Sequence, residues 1–158
     1  MDRTRWLSER EQEIWRAFIT AVEGLIDHFD RQLQHDSSMP YTYYEILVAL
    51  SEAPDRTLRM SDLAGVRGFS RSRLSHAVAR LEQVGWVERR TCPTDRRGSY
   101  AVLTDAGFAA LEAAAPGHVT AVREQLFDVL TPEQLAELGE ISKAILKGLG
   151  CPDSPPRH

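Results

Sequence analysis

The sequence contains little cysteine and little lysine and lacks long apolar runs, and these shortages exclude several classes of protein. Two cysteines among 158 residues are too few for the disulfide framework of a small secreted domain. No uninterrupted apolar stretch approaches the roughly 20 residues that a membrane-spanning helix requires. Residues 1–10 are charged and contain no apolar segment of the kind that directs secretion. We therefore predict a cytoplasmic protein with no membrane partner.

The sequence also lacks the motifs that would indicate an enzyme. It contains no Gly-rich phosphate loop, no G-x-S-x-G turn and no H-E-x-x-H helix. His28 and His35 are spaced to share a helix face, yet no cysteine or carboxylate cluster completes a tetrahedral metal site. We predict a non-enzymatic protein with no cofactor and no metal. Cys92 is interpreted as an incidental or structural thiol, with a redox-active Cys92 as the alternative.

Positive charge is concentrated in the middle of the chain. Between Asp55 and Gly98, ten arginines outnumber five acidic residues, so this segment carries +5 while the rest of the chain carries −9 and the total is −4. Both lysines, Lys143 and Lys147, lie near the C-terminus. A local basic region favours binding to a polyanion, since binding releases counterions from the contacted phosphates. A solvated arginine-rich surface is the alternative, and composition does not decide between them.

Apolar periodicity predicts a mainly α-helical chain of about six helices with one small β-hairpin. Ser8 and Glu11 have the spacing of a capping box at the start of the first helix. Pro116 and Gly117 predict a kink or an interruption of the fifth helix. The predicted helices cover residues 8–34, 42–52, 61–66, 70–85, 104–130 and 131–149, and the predicted strands cover 86–91 and 99–103.

A short helix, a tight turn, a longer helix with polar outward residues and a hairpin together form a winged helix-turn-helix. The longer helix of such a module fills the major groove of DNA, where side chains near its N-terminus reach base edges. The hairpin tip carries Arg96 and Arg97, and arginine suits the electronegative minor groove. On the longer helix we expect DNA contacts from Ser70, Arg71, Ser72, Arg73, Ser75, His76 and Arg80.

The central region resembles the MarR family of bacterial transcription factors. The resemblance rests on Leu-Ala at 63–64, Arg-Leu-Glu at 80–82, and Asp-Arg-Arg at 95–97 followed by Leu-Thr-Asp-Ala-Gly at 103–107. It implies a homodimer on a palindromic operator in double-stranded DNA, and a repressor rather than an activator. The domains would be a dimerisation helix (1–40), a winged DNA-binding module (41–104), C-terminal dimerisation helices (105–150) and a disordered tail (151–158).

The resemblance also implies roles within the wing. Asp95 would pair with one wing arginine and support the wing structure, while an arginine enters the minor groove; which of Arg96 and Arg97 does so stays open. Arg67, Arg73 and His76 depart from the residues usual in the family, so the operator sequence cannot be borrowed from relatives.

Members of this family often bind a small aromatic or phenolic effector, and aromatic residues are concentrated early in this chain. Trp15, His28, Tyr41 and Tyr44 are therefore candidate ligand-binding residues. Packing in the core or at an interface is the favoured alternative for each of them. Two other functions stay open: a winged-helix protein-interaction module without DNA binding, and a constitutive global regulator without an effector.

Overall fold

The computed structural model describes residues 4–67, 70–91 and 98–150, and these form six α-helices and a three-stranded antiparallel sheet. The predicted fold class, mainly α with a small wing, is confirmed. A 3₁₀ turn at Pro54–Arg56 and a π-helical turn at Arg123–Phe127 complete the fold. The elements are α1 (Glu9–Ser37), α2 (Tyr41–Ser51), β1 (Thr57–Arg59), α3 (Met60–Arg67), α4 (Arg71–Gln83), β2 (Val87–Thr91), β3 (Ser99–Leu103), α5 (Asp105–Val122) and α6 (Pro132–Gly148).

Side-chain caps mark the starts of α1 and α6, where the sequence predicts that helices begin. Ser8 and Glu11 form the reciprocal capping box at the start of α1, with Glu11 Oε2 accepting from the Ser8 N–H at 2.7 Å. Thr131 and Gln134 form a second capping box at α6. The start of α2 has no side-chain cap from its own N-cap residue, Pro40. There, Asp30 of α1 accepts the Tyr41 N–H at 2.8 Å, which ties α2 to α1.

The core lies where α2, α3 and α4 pack against one another and against the sheet. Val84 is the C-cap residue of α4 and is 56% exposed, because the helix ends there. Gly85 follows with a φ of 77°, the left-handed conformation predicted for the end of this helix. The fully buried side chains are Leu33, Met39, Ile46, Leu47, Leu50, Leu63, Leu74, Val78 and Leu81.

The sheet has one strand more than the predicted hairpin. β3 lies in the centre, pairing with β2 from Val87–Leu103 to Thr91–Ser99 and with β1 on its other edge. β1 has only three residues, too few to show the alternation that identifies a strand from sequence. Its formation depends on long-range pairing with β3, so the predicted hairpin of β2 and β3 is present and β1 is the strand that the sequence did not indicate.

The wing joins α5 through a compact connection. Thr104 caps α5 by accepting the Gly107 N–H at 3.0 Å, and its hydroxyl donates to the Gly85 carbonyl oxygen at 2.7 Å. Gly107 lies against the backbone of Trp86, where an added β-carbon would overlap the Trp86 carbonyl oxygen. The Leu-Thr-Asp-Ala-Gly segment therefore includes both a cap and a close backbone contact between the wing and α5.

α5 continues through Pro116, so the interruption predicted there does not occur. The helix irregularity comes later, at Arg123–Phe127, where the Asp128 N–H donates to the Arg123 carbonyl oxygen at 2.8 Å across a π-type turn. Packing of α5 against α1 explains the continuity, since Gly117 lies against Gln32 and Asp36 of α1. Tertiary contact thus outweighs the local effect of proline.

Two helices leave apolar faces uncovered in the protomer. α1 buries only Phe29 and Leu33, and α6, whose residues are all described, buries none of them. None of the helices in the described part of the chain is long and apolar enough to cross a bilayer. The exposed apolar side chains of these two helices and of the segment preceding α1 are Trp6, Leu7, Ile14, Trp15, Phe18, Ile26, Ile141 and Ile145.

Candidate nucleic-acid interface

α4 turns a polar face outward because its apolar side chains are buried on the opposite face. Leu74, Ala77, Val78 and Leu81 anchor the helix in the core. The seven predicted contact residues are accordingly exposed: Ser70, Arg71, Ser72, Arg73, Ser75, His76 and Arg80. They extend from Ser70 to Arg80 along the 13-residue helix, starting at the positive end of the helix dipole.

These residues differ in the hydrogen bonds that they make within the protein. The Ser70 hydroxyl accepts the Arg73 N–H at 3.2 Å and so caps the helix. Arg80 donates to Gln83 Oε1 at 3.0 Å on the same helix. Arg71 and Arg73 make no hydrogen bond or ion pair with residues 4–67, 70–91 or 98–150 that would restrain their guanidinium groups. Their side chains are therefore the ones best able to reach a ligand in front of α4.

The tip of the wing lies outside the described residues. This applies to the predictions for Asp95, Arg96, Arg97 and Cys92. The two strands that flank this segment, β2 and β3, are paired through Thr91 and Ser99.

A cavity of about 460 Å³ lies beside the N-terminal half of α4. Its lining includes Arg59 of β1, Arg71 of α4 and Arg89 of β2, so three separate elements bring positive charge to one cleft. The Arg59 Nε donates to the Tyr100 hydroxyl at 3.3 Å. Arg59 and Arg89 were not predicted as site residues, because only the tertiary fold brings them next to α4; their membership of the basic segment was the one available signal.

Arg89 connects the sheet to α4. Its backbone N–H donates to Glu82 Oε1 at 3.1 Å, and its Nη2 donates to the Ser75 carbonyl oxygen at 2.7 Å. The Arg89 Nε lies 3.1 Å from Glu82 Oε2, an ion-pair distance, although the angle there is unsuited to a hydrogen bond. Arg89 thus contacts α4 at two places.

A second cavity, of about 430 Å³, lies between α2 and α5. Tyr41 and Tyr44 line it together with His118, whose ring centre is 4.5 Å from that of Tyr44. His118 is 9% exposed, and its Nδ1 is buried without a hydrogen-bond partner among the described residues. Burial lowers the pKa of His118 and raises that of Tyr44. Both groups are therefore neutral near pH 7, and Glu45 and Glu52 supply the charged side chains of the lining.

The four predicted ligand-binding residues do not come together. Tyr41 and Tyr44 share this cavity. His28 is instead half-buried on α1, where its ring lies edge-on to that of Phe29 with the two ring centres 6.0 Å apart. Trp15 lies in the N-terminal half of α1 and is 55% exposed. His118 was not predicted, because its position in the middle of α5 gives no sign of the facing tyrosines. Within the described residues, no group of three or more His, Cys, Asp and Glu side chains is arranged to hold a metal ion.

Comparison with known proteins agrees with this architecture. The family model described as MarR family matches residues 37–98. Sco3205, a MarR family transcriptional regulator from Streptomyces coelicolor solved in complex with DNA, is 55% identical; the match covers 94% of this chain and 93% of that one, with a TM-score of 0.88. AbsC, another MarR family regulator from Streptomyces coelicolor, is 42% identical over 92% of this chain and 98% of that one, with a TM-score of 0.84.

A curated relative is more distant. The transcriptional repressor MprA of Escherichia coli (strain K12) is 28% identical over 108 residues, which are 68% of this chain and 61% of MprA. The relatives are thus regulators of transcription rather than enzymes. Together with the helix-turn-helix, the three-stranded wing and the long flanking helices, the near full-length match to Sco3205 shows that the chain belongs to the MarR family.

Proposed function

We propose that the chain is a sequence-specific DNA-binding transcriptional regulator, with α4 as its recognition helix. The observation that carries the proposal is the exposed surface of α4, on which Arg71 and Arg73 have side chains held by no neighbour in the described regions. Arginine is suited to bidentate contact with guanine in the major groove. A relative that is 55% identical was solved in complex with DNA, which supports DNA binding by this chain.

The proposed contacts divide into base readout and backbone positioning. Arg71, Arg73, Ser75 and His76 lie toward the N-terminal half of α4, the part of a recognition helix that contacts base edges. Ser72 and Arg80 would contact phosphates at the edges of the groove, and Ser70 would act chiefly as the helix cap. The arginines at 96 and 97 would extend the contact into the minor groove, with Asp95 supporting the wing.

The exposed apolar faces of α1 and α6 support a homodimer. Trp15, Phe18, Ile141 and Ile145 are all more than 40% exposed in the protomer, which is a large apolar surface to leave in water. Pairing of residues 1–40 and 105–150 between two chains would cover these faces. The two modules of residues 41–104 would then bind the two halves of a palindrome, and occupation of a promoter would make the protein a cytoplasmic repressor.

The cavity between α2 and α5 is the proposed effector site. It lies between a helix of the DNA-binding module and a dimerisation helix, so a bound molecule would affect the spacing of two recognition helices. Tyr41, Tyr44 and His118 suit a small aromatic or phenolic molecule, which would hydrogen-bond to them and pack against their rings. His28 and Trp15 remain predicted ligand residues that do not line this cavity. A constitutive regulator, with these rings serving packing alone, is the alternative.

Fluorescence anisotropy tests the proposal directly. The purified chain would be titrated into the DNA fragment upstream of its own gene and into a scrambled duplex, at several salt concentrations between about 50 and 200 mM. We expect tighter binding to the natural fragment at every salt concentration. Equal, steeply salt-dependent binding to both duplexes would contradict autoregulation through that fragment, and absence of binding would favour a winged protein-interaction module.

A further inference from the structure

We propose that Glu82 and Arg89 form a clamp that fixes the angle of α4 against the wing, which makes both of them positioning residues for operator discrimination. The inference depends on the proposed function, because it concerns how α4 is held when it reads DNA. Neither residue belongs to the predicted DNA-contacting set. The clamp is defined as the contacts of Arg89 with Glu82 and with Ser75.

The first part of the clamp joins the C-terminal turn of α4 to β2. Glu82 is the second-last residue of α4, and both of its carboxylate oxygens face Arg89. One accepts the Arg89 backbone N–H at 3.1 Å, and the other lies 3.1 Å from the Arg89 Nε. A carboxylate that holds backbone and side chain together fixes the direction of that side chain as well as the position of the strand.

The second part joins β2 to the middle of α4. The Arg89 Nη2 donates to the Ser75 carbonyl oxygen at 2.7 Å, the shortest of the contacts between these residues. Ser75 and Glu82 are seven residues apart, about two turns or 10 Å along the helix axis. One arginine therefore holds α4 at two points along its length. Two points define the tilt of a helix, whereas one point would define only its distance from the sheet.

The Ser75 contact of the clamp lies beside the half of α4 that is proposed to read DNA. The Ser75 side chain is exposed on the surface of α4, next to His76 and one turn beyond Arg71 and Ser72. A base contact made by an arginine depends on donor positions fixed to within a few tenths of an ångström. A small change of tilt would therefore move Arg71 and Arg73 away from their bases while leaving nonspecific attraction to phosphate in place.

Arginine is the side chain that this geometry requires. Its planar guanidinium group presents donors on separate nitrogens, so Nε can face Glu82 while Nη2 reaches Ser75. Lysine carries the same charge on a single nitrogen and can make only one of the two contacts. Arg89→Lys therefore keeps the positive charge of the cleft and the backbone hydrogen bond to Glu82, and it removes the two-point attachment made by the side chain.

A direct phosphate contact by Arg89 is the competing role, since Arg89 also lines the arginine cleft. Glu82→Gln separates the two roles, because it removes a negative charge from the DNA-binding module. If the charge of Glu82 matters only through its field, its loss strengthens binding to any duplex. If Glu82 positions α4, its loss weakens binding to the operator specifically.

Strand β2 supplies a matched control. Glu88 and Arg90 form an ion pair of the same length, 3.1 Å, but both side chains are more than half exposed and the pair lies within β2. Glu88→Gln removes one negative charge, as Glu82→Gln does, but it removes it from β2 and leaves the contacts between Arg89 and α4 in place. Any general electrostatic effect on DNA binding will appear in Glu88→Gln and Glu82→Gln alike.

The experiment uses the full chain, an operator selected from a random duplex library, and a scrambled duplex of equal length. Dissociation constants are measured by anisotropy over a range of salt, and thermal unfolding is recorded for each variant. We expect Glu82→Gln and Arg89→Lys to reduce the preference for the operator by about tenfold, as is typical of coupled residues in one network. Binding to the scrambled duplex should not weaken, and Glu88→Gln should keep its preference within about twofold of the wild type.

Four results would overturn the clamp. Glu82→Gln with an unchanged or improved preference for the operator would overturn the clamp, as would equal losses on both duplexes in Arg89→Lys. If a variant unfolds at a lower temperature than the wild type, its preference for the operator is measured below its unfolding range. A purely structural role of Glu82 and Arg89 predicts wild-type preference there, and that result would overturn the clamp. A wild-type chain that selects no operator would overturn the proposed function and the clamp together.

Discussion

Gly107 lies against the carbonyl oxygen of Trp86 so closely that no side chain fits between them. The contact joins the first turn of α5 to the residue that opens the wing. Thr104 strengthens the same connection, since its backbone N–H donates to the Trp86 carbonyl oxygen at 3.1 Å and its hydroxyl donates to Gly85 at 2.7 Å. The first turn of α5 and the residues that precede β2 therefore meet in a close backbone contact.

Gly107→Ala should destabilise the protein. The added methyl group would overlap the backbone of Trp86 and the side chain of Leu103, and backbone cannot move aside as a flexible side chain does. Overpacking of this kind costs about 1–3 kcal/mol. Urea unfolding followed by circular dichroism measures the effect. Gly24→Ala, at a helix position with open space around it, is the control and should be neutral or slightly stabilising; an equally neutral Gly107→Ala would contradict this account of the contact.

Arg71→Ala and Arg73→Ala should relax sequence discrimination. Each variant loses a candidate base contact, so the preference at one or two base pairs should fall by about 1–3 kcal/mol while other positions keep theirs. Anisotropy titrations against a set of operators with single base-pair changes would measure this. A loss of the same size on every duplex would identify the two residues as phosphate contacts instead.

Arg96→Ala and Arg97→Ala should each weaken DNA binding. If either arginine neutralises a phosphate or enters the minor groove, its loss lowers the dependence of binding on salt by about one counterion. The slope of log Kd against log salt concentration gives that number for each variant. Binding identical to the wild type in both variants would eliminate the wing from the interface.

Acidification should destabilise the protein through His118. Burial lowers the pKa of His118 below its ordinary value of 6.5. At a pH between the lowered pKa and 6.5, the unfolded chain therefore binds a proton that the folded chain does not. Stability is then complete above that ordinary value and falls as the pH is lowered through it. Urea unfolding of the wild type and of His118→Gln, at pH 7.5 and at successively lower pH, tests this assignment. The variant should lose less stability on acidification, and equal losses in the two proteins would contradict it.

Local signals in the sequence predicted most of the helices. Ser8 with Glu11, and Thr131 with Pro132, are caps whose effect is complete within a few residues, so the sequence alone indicates where α1 and α6 begin. β1 was not predicted because it forms only by pairing with β3, about 40 residues later. At Pro116 a kink or an interruption was predicted, and the interruption does not occur because packing of α5 on α1, which local sequence does not reveal, keeps the helix continuous.

The candidate sites also divide into features set by local sequence and features set by long-range packing. The outward face of α4 was predictable, because the buried positions at Leu74, Val78 and Leu81 determine which residues point away from the core. The contact between Arg89 and Ser75 joins two elements across a turn, and His118 meets the tyrosines of α2 from a distant helix. No periodicity or spacing indicates such contacts in advance.

The central claim is that two chains bind one symmetric DNA site, and selection of bound DNA tests it most directly. The purified chain would be used to select duplexes from a random library, and native mass spectrometry would count the chains on the selected duplex. The account predicts an inverted repeat with half-sites about one helical turn, roughly 10 base pairs, apart, bound by two chains. A selected sequence without a repeat, bound by one chain, would contradict it.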